Sequence, residues 1–314
     1  MNSTTIDLAA ALSATDALRP AEAVLAIERA LRRGFDPASD FQRQVLDVKH
    51  GQLLVMPSQQ QSSVGVKVAT VAPKNPDQGL PRIQAVYVLF DARTLTPRLL
   101  LDGTALTTLR TPAVSVAAVK PALLANDTAL HITVFGAGPQ GTGHVATVAE
   151  VVDGQRGIAS VTYVVRNPAT ADLPTHTTVV QAGSPQADHA VDRADVIVCA
   201  TGAGQPVFDS TGTKPDVIVI AVGSHDPDRR EVDSQLVARA QVIVEDRDTA
   251  IREGGDVVMA IAESHLTADD LIPIKDIATG AATLVPDQAV FFKSSGMSWE
   301  DVVVAEAIAT RLNR

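Results

Sequence analysis

A single cysteine, Cys199, is all that the 314-residue chain contains, which excludes an intramolecular disulfide and a cysteine-rich zinc site. Aromatic residues make up only 3% of the chain, too few for a platform on which nucleic-acid bases stack. Positive charge is also scarce, since 26 Lys and Arg against 36 Asp and Glu leave a formal net charge of −10. General nucleic-acid binding needs a basic face and is not expected. No run of 18 uncharged apolar residues occurs, so no membrane-spanning helix is expected. Met1 to Arg19 carries Asp7 and Asp16 and lacks the basic start and apolar run of a secretory leader. A cytoplasmic protein is the expectation. The seven histidines include no HExxH or comparable ligand spacing, so no metal site is expected. Cys199 lies in the apolar run Val196–Ala200 and reads as a small buried hydrophobe rather than a nucleophile.

What is present is a globular composition, 46% hydrophobic and 20% charged, on a chain long enough for two domains at about 150 residues each. Helical periodicity runs from Pro20 to Arg33 and stops at Gly34. From Val64 the texture becomes strand-like: Val64, Val66 and Val68 share one face, with Gly65, Lys67 and Ala69 opposite. Further runs over Ile83–Phe90 and Pro97–Leu101, with a turn at Asp91–Thr96, complete an expected antiparallel meander. After Lys120, short apolar strands alternate with helices, with strands at Leu130–Phe135, Val161–Arg166, Thr178–Gln181, Asp195–Ala200, Val217–Val222 and Val242–Glu245. Such Val- and Ile-rich runs are what a parallel sheet covered by helices requires. The fold class is therefore α/β: a Rossmann dinucleotide-binding domain over 121–287, enclosed by a discontinuous α+β domain. The second domain takes residues 1–120 and is completed by 288–314, including a strand at Ala289–Phe292 and a helix from Trp299.

The strongest local signal is Gly136-Ala-Gly138-Pro139-Gln140-Gly141, which follows the strand ending at Phe135 and precedes a helix over Thr142–Val152. Glycines here permit a tight turn and let the backbone approach a pyrophosphate seated on the helix's positive end. A structural glycine turn is the alternative; the strand and helix on either side favour a bound dinucleotide. NAD-selective sites place an acid at the end of the next strand to accept the ribose 2′-hydroxyl. Here that strand ends in Arg166-Asn167, and no acid follows until Asp172. A guanidinium suits a 2′-phosphate, so NADP(H) is favoured, with NAD(H) the alternative if Arg166 is merely solvated. Ala200-Thr201, ending a later strand, is expected to border the cofactor.

From about Gln42 onward the chain resembles the ornithine cyclodeaminase/mu-crystallin family. The resemblance is carried by Gly51-Gln-Leu-Leu-Val-Met-Pro57, Val64-Gly-Val-Lys67, Asp102-Gly103 with Leu109-Arg110-Thr111, and the glycine loop from Phe135. It continues in Ala221-Val222-Gly223-Ser224-His225 through Arg230-Glu231, in Glu253-Gly-Gly-Asp256, and in Val290-Phe-Phe-Lys293-Ser-Ser-Gly296. The resemblance implies an NAD(P)-dependent enzyme that moves hydride at the Cα–N bond of an amino or imino acid, as a homodimer. It assigns Arg43, Lys67 and Arg110 to a clamp for the substrate carboxylate. It also implies that the α+β domain binds substrate and joins the dimer, and that Lys293 to Gly296 reach the nicotinamide end, with a hinge between domains the alternative. Val222 and Gly223 are expected there because Rossmann ligands bind at the carboxyl ends of strands. Read from the residues alone, Lys67 is more simply an edge-strand lysine that discourages aggregation. Arg110 stands before Thr111-Pro112, where Thr can cap and Pro can open a new helix, aiming the guanidinium beside that helix end. Arg43 rests on the resemblance alone.

One departure is informative. Similar cyclodeaminases carry an aspartate, acting as a base on the amine, where His225 stands; Asp226 comes one residue late. An imidazole, with its ordinary pKa near 6.5, can still exchange a proton with an amine or imine. The expected catalytic set is Lys67, His225 and Asp226. An NADPH-dependent imine or ketimine reductase, or an amino-acid dehydrogenase, is the simplest chemistry. The alternatives are ornithine cyclodeamination on bound NAD and a noncatalytic NADP- or small-molecule-binding protein.

Overall fold

Helical periodicity and strand alternation translate into two compact units in the computed structural model, which describes residues 14–173 and 177–312. One unit comprises Met1–Thr111 and Met297–Arg314, the other Pro112–Gly296. The first opens with α1 (Ala14–Ala17) and α2 (Pro20–Arg32). In α2, Val24, Ile27 and Leu31 fall on one buried face, the i, i+3, i+7 stripe of an amphipathic helix. Five strands follow: β1 (Gln44–Val48), β2 (Gly51–Gln59), β3 (Ser63–Val71), β4 (Ile83–Asp91) and β5 (Pro97–Asp102). They pair in sequence order, all antiparallel. The meander thus has two more strands than its sequence suggested, and β3 is its central member.

That position overturns the edge-strand account of Lys67. The buried side of β3 carries Ser63, Gly65, Lys67 and Ala69, while the valines are only half-buried. Small residues beside Lys67 make room for large neighbours: a Cβ on Gly65 would sit 1.7 Å from the Tyr87 hydroxyl.

The helix α3 (Gly103–Leu123) also departs from expectation, because it runs unbroken through Pro112 and Pro121. Its start is set earlier, where the Asp102 carboxylate accepts from the backbone N–H groups of Thr104 (2.7 Å) and Ala105 (3.1 Å). Thr111-Pro112 therefore opens no new helix, and Arg110 lies well inside the existing one. Residues 109–119 are all buried, and packing on every side outweighs the hydrogen bond that proline removes.

The second unit is an eight-stranded parallel sheet. Its strands are β6 (Leu130–Phe135), β7 (Ile158–Val165), β8 (Thr178–Gln181), β9 (Val196–Cys199), β10 (Ile218–Ala221), β11 (Gln241–Val244), β12 (Ile272–Pro273) and β13 (Val290–Lys293). The spatial order is β12-β11-β13-β10-β9-β6-β7-β8. The order reverses between β6 and β9, the topological switch point at which such sheets bind ligands. Interleaved are α4 (Pro139–Val152), α5 (Pro185–Arg193), α6 (Ser234–Arg239), α7 (Arg247–Glu253), α8 (Gly255–Ala262) and α9 (Ile274–Thr279). Strands β9, β10, β11 and β13 are buried at every residue, as a sheet covered on both faces demands. Strand β13, expected with the first domain, instead pairs in parallel with β10 and β11. The chain then leaves the sheet, and α10 (Ser298–Leu312) packs on α2, β2 and β3 of the first unit. Trp299 stacks there on Phe35, with ring centroids 5.5 Å apart. Among the described residues no helix is long and apolar enough to cross a membrane.

Candidate active site

The glycine loop lies between β6 and α4, at the switch point. Gly136 takes φ +101° and its missing Cβ would meet the Ala200 carbonyl oxygen at 2.5 Å. A Cβ on Gly141 would meet the Gly136 carbonyl oxygen at 2.2 Å. At Gly138, the residue just before α4, a Cβ would meet nothing within 4 Å. Two glycines are thus required by the fold, and the third leaves open space in front of the helix's first amides. Those amides have no carbonyl one turn back to bond and carry the positive end of the helix dipole. The loop fits a dinucleotide pyrophosphate. Behind it, His144 is fully buried between the Gln140 carbonyl (2.7 Å from Nδ1) and the Ser115 hydroxyl (3.0 Å from Nε2). Burial lowers its pKa to about 4, so a neutral ring braces the first turn of α4.

Arg166 is exposed just beyond the end of β7. Asn167 next to it accepts from the Ala169 N–H (3.2 Å), which turns the chain away.

The carboxyl ends of the neighbouring strands are tied by buried charges. Glu231, fully buried, accepts from the Thr201 N–H and hydroxyl (2.7 Å each) and from the Gly223 N–H (2.7 Å). Desolvation raises its pKa, opposed by the nearby Lys293 ammonium. Asp256 accepts from the backbone of Glu231 (2.7 Å) and Val232 (3.0 Å), and its other oxygen lies 2.8 Å from Lys293 Nζ. Lys293, 2% exposed, also donates to the Ser224 carbonyl (2.7 Å). Its charge therefore holds the Ser224 loop. Glu245 accepts from the Ser294 hydroxyl (2.7 Å) and from the N–H groups of Ser295 (2.9 Å) and Gly296 (3.2 Å). Val222 donates back to the Cys199 carbonyl (2.9 Å), and Cys199 is fully buried with its thiol pKa pushed up by desolvation. Thr201, Gly223 and Lys293 are thus held in one network at the strand ends, while Ala200 and Val222 are fixed by backbone bonds to Phe135 and Cys199. His225 and Asp226 follow on an exposed loop, where the Asp226 N–H donates to the Ser224 hydroxyl (3.3 Å). Sequence reasoning assigned no role to Glu231, Asp256 or Glu245, although the first two lie in stretches that carry the family resemblance.

The expected carboxylate clamp belongs to the first unit. Lys67 (3% exposed) and Arg110 (5% exposed) meet around two fully buried acids at the start of α10. Lys67 Nζ lies 2.8 and 3.1 Å from the two Asp301 oxygens and donates to the Thr107 hydroxyl (3.2 Å). Arg110 Nη1 donates to Glu300, and its Nε lies 3.4 Å from Asp301. Burial lowers the Lys67 pKa to about 8; Asp301 opposes that fall and Arg110 adds to it. Arg43 is half-buried in the segment directly before β1. Glu300 and Asp301 went unread because an acidic pair in a first helical turn is ordinary complementarity to the helix dipole. Among the described residues, no three His, Cys, Asp or Glu side chains are grouped to hold a metal ion.

A parallel sheet with a glycine loop at its switch point, in a chain whose other unit buries a lysine and an arginine against two acids, defines a Rossmann dinucleotide-binding protein. The chain belongs to the ornithine cyclodeaminase/mu-crystallin family, whose model matches residues 4–314. It is 29% identical to the Delta(1)-pyrroline-2-carboxylate reductase of Colwellia psychrerythraea, over 90% of this chain and 93% of that protein. With the Delta(1)-pyrroline-2-carboxylate reductase of Bacillus cereus it shares 33% identity over 81% of this chain and 79% of the relative. The fold matches the structure of Thermococcus litoralis Delta(1)-pyrroline-2-carboxylate reductase in complex with NADH and L-proline. There the TM-score is 0.83 at 24% identity, covering 96% of this chain and 95% of the other.

Proposed function

We propose that the protein is an NAD(P)H-dependent reductase of carbon–nitrogen double bonds, acting on a small cyclic or α-imino carboxylate, with NADPH the favoured cofactor. The observation that carries this reading is the buried Lys67–Arg110 pair. Two cations are kept out of water beside a strand centre, where a substrate carboxylate is recognised by charge-assisted hydrogen bonds. The Gly136–Gly141 loop at the head of α4 would hold a nicotinamide dinucleotide, whose chemistry there would be hydride donation to the imine carbon. The chain's own residues do the rest. Lys67 and Arg110, with Arg43, orient the substrate through its carboxylate, so that the reacting carbon is presented in one geometry. His225 donates a proton to the imine nitrogen, with Asp226 beside it in the loop. Glu231, through Thr201 and Gly223, and Lys293, through the Ser224 carbonyl, fix the backbone from which that loop leaves the sheet. The apolar edge strand β1, with Val45, Leu46 and Val48 each about half exposed, supports a homodimer. The single buried cysteine fits a cytoplasmic setting.

The test compares two reactions of the purified protein. Delta(1)-pyrroline-2-carboxylate with NADPH should be reduced, with kcat/KM falling as pH rises through the range where an imidazolium loses its proton. Ornithine with NAD should yield little or no proline. Rapid, NADPH-independent release of proline and ammonia from ornithine would instead identify a cyclodeaminase with Asp226 as its base. Tight NADPH binding without turnover of any imine would identify a binding protein.

Cofactor choice has its own expected result. Arg166→Asp removes a guanidinium suited to the 2′-phosphate and introduces an acceptor for a free 2′-hydroxyl. NADPH affinity should fall by about tenfold to a hundredfold, the worth of a charge-assisted hydrogen bond, while NADH affinity holds or rises. An unchanged ratio of the two dissociation constants would show Arg166 to be solvated and the selectivity to lie elsewhere.

A further inference from the structure

The clamp lysine stands in surroundings that ought to discharge it. Lys67 is 3% exposed at the centre of the five-stranded sheet, and an ammonium stripped of water favours its neutral form. Facing it are Arg110 from α3, Tyr87 from β4, and Glu300 and Asp301 from α10. Met56, its register partner on β2, is apolar. Asp40 and Glu306 act on Tyr87 through space. Arg110 pushes against the lysine's charge, and the Tyr87 hydroxyl, whose pKa is raised well above its usual value, is neutral. Among these neighbours the two acids oppose that loss of the proton.

Both acids are placed by the helix that carries them. Glu300 and Asp301 occupy the first turn of the 15-residue α10, where the helix dipole favours a negative charge. Glu300 fixes itself there by accepting from the Met297 N–H (2.9 Å), with its second oxygen turned to Arg110. Asp301 contacts Lys67 through both oxygens. The Thr107 hydroxyl accepts from the same ammonium (3.2 Å), so the lysine head is held from two elements.

We propose that Asp301 is the positioning residue of the clamp: it keeps Lys67 charged and aimed within the sheet, while Glu300 aims the always-charged Arg110. The acidic pair on α10 thereby sets the pH range over which the protein accepts a carboxylate. This deepens the reading of Lys67 as a carboxylate clamp and rests on it. Without Asp301 the lysine gives up its proton at a lower pH, and the site loses that one charge while the fold of the second unit and its dinucleotide loop are untouched.

The chain has seven lysines (Lys49, Lys67, Lys74, Lys120, Lys214, Lys275 and Lys293), few enough to follow one by one. The full-length protein is labelled with [13Cε]lysine, and the Lys67 signal is assigned by its loss in Lys67→Met. Its midpoint should lie near 8 in the parent protein and fall by about one pH unit or more in Asp301→Asn. Glu300→Gln, which acts on Lys67 through space, should move it the same way by less. In parallel, the pH at which KM for Delta(1)-pyrroline-2-carboxylate begins to rise should drop by the same amount. The limiting kcat at low pH and the NADPH dissociation constant should stay near the parent values. A Lys67 midpoint that does not move in whichever acid variant folds overturns the proposal. A midpoint that moves while the KM profile stays put overturns the positioning role as well, since the charge would then serve only the fold. Failure of the parent protein to bind any carboxylate, with the lysine titrating as stated, would instead refute the clamp reading and leave the Asp301–Lys67 coupling standing.

Discussion

Lys67→Met should lower kcat/KM for an imino carboxylate by about a thousandfold, equivalent to ~4 kcal/mol of transition-state stabilisation, and should also reduce thermal stability. Methionine keeps most of the stem, so little packing is lost. What is lost is the ammonium 2.8 Å from Asp301. A buried carboxylate left without its partner costs about 3–5 kcal/mol, although the Arg110 Nε at 3.4 Å offsets part of that here. The two effects separate in the double variant Lys67→Met/Asp301→Asn. Removing both charges relieves the orphaned acid, so the melting temperature should recover much of its loss, and kcat/KM should not recover at all. If activity returned together with stability in the double variant, Lys67 would be a structural lysine and the substrate carboxylate would bind elsewhere.

What could be read from the residues, and what could not, follows the range of the interactions concerned. The dinucleotide loop was legible because its parts are contiguous: a strand ending at Phe135, three glycines and a helix within a few residues. Strands β6 to β11 were legible as short runs rich in Val and Ile. Strand β1 was not, because all five of its residues are exposed and exposure erases the alternation that marks a half-buried strand. The place of β13 depends on parallel pairing with β10 and β11, segments distant in sequence, and no local pattern encodes it. At Thr111-Pro112 the local signal was real but outweighed, since the burial of residues 109–119 carries α3 through the proline. Lys67 shows the same limit at the site. Its alternation with three valines was correctly seen, yet which side of β3 faces inward is decided by Tyr87 and α10, neither of which adjoins it in sequence. Glu231 and Asp256 are missed for a related reason. Their work is to hold the backbone at Thr201, Gly223 and Val232, and a carboxylate that bonds to backbone needs no particular residue type at the other end.

Gly138→Asp should strengthen the fold slightly and weaken dinucleotide binding by about a hundredfold or more, a loss of ~3 kcal/mol. The two signs arise from the same atom. Gly138 is the residue before α4, with φ −80° and ψ −179°, an extended conformation open to any residue, and its Cβ would meet nothing. Aspartate is among the best residues at that position, because its carboxylate bonds the helix's unpaired amides. Those are the amides offered to the pyrophosphate, and the new side chain both occupies them and repels a negative ligand. Gly141→Val provides the contrast. Its Cβ would sit 2.2 Å from the Gly136 carbonyl oxygen and 3.0 Å from Val134, so α4 would have to leave the sheet and stability should drop. Thermal melting and NADPH fluorescence titration of the two variants distinguish a glycine kept for its ligand from one kept for its fold. Equal affinity for NADPH in Gly138→Asp and the parent protein would mean that the open space before α4 is not where the pyrophosphate lies.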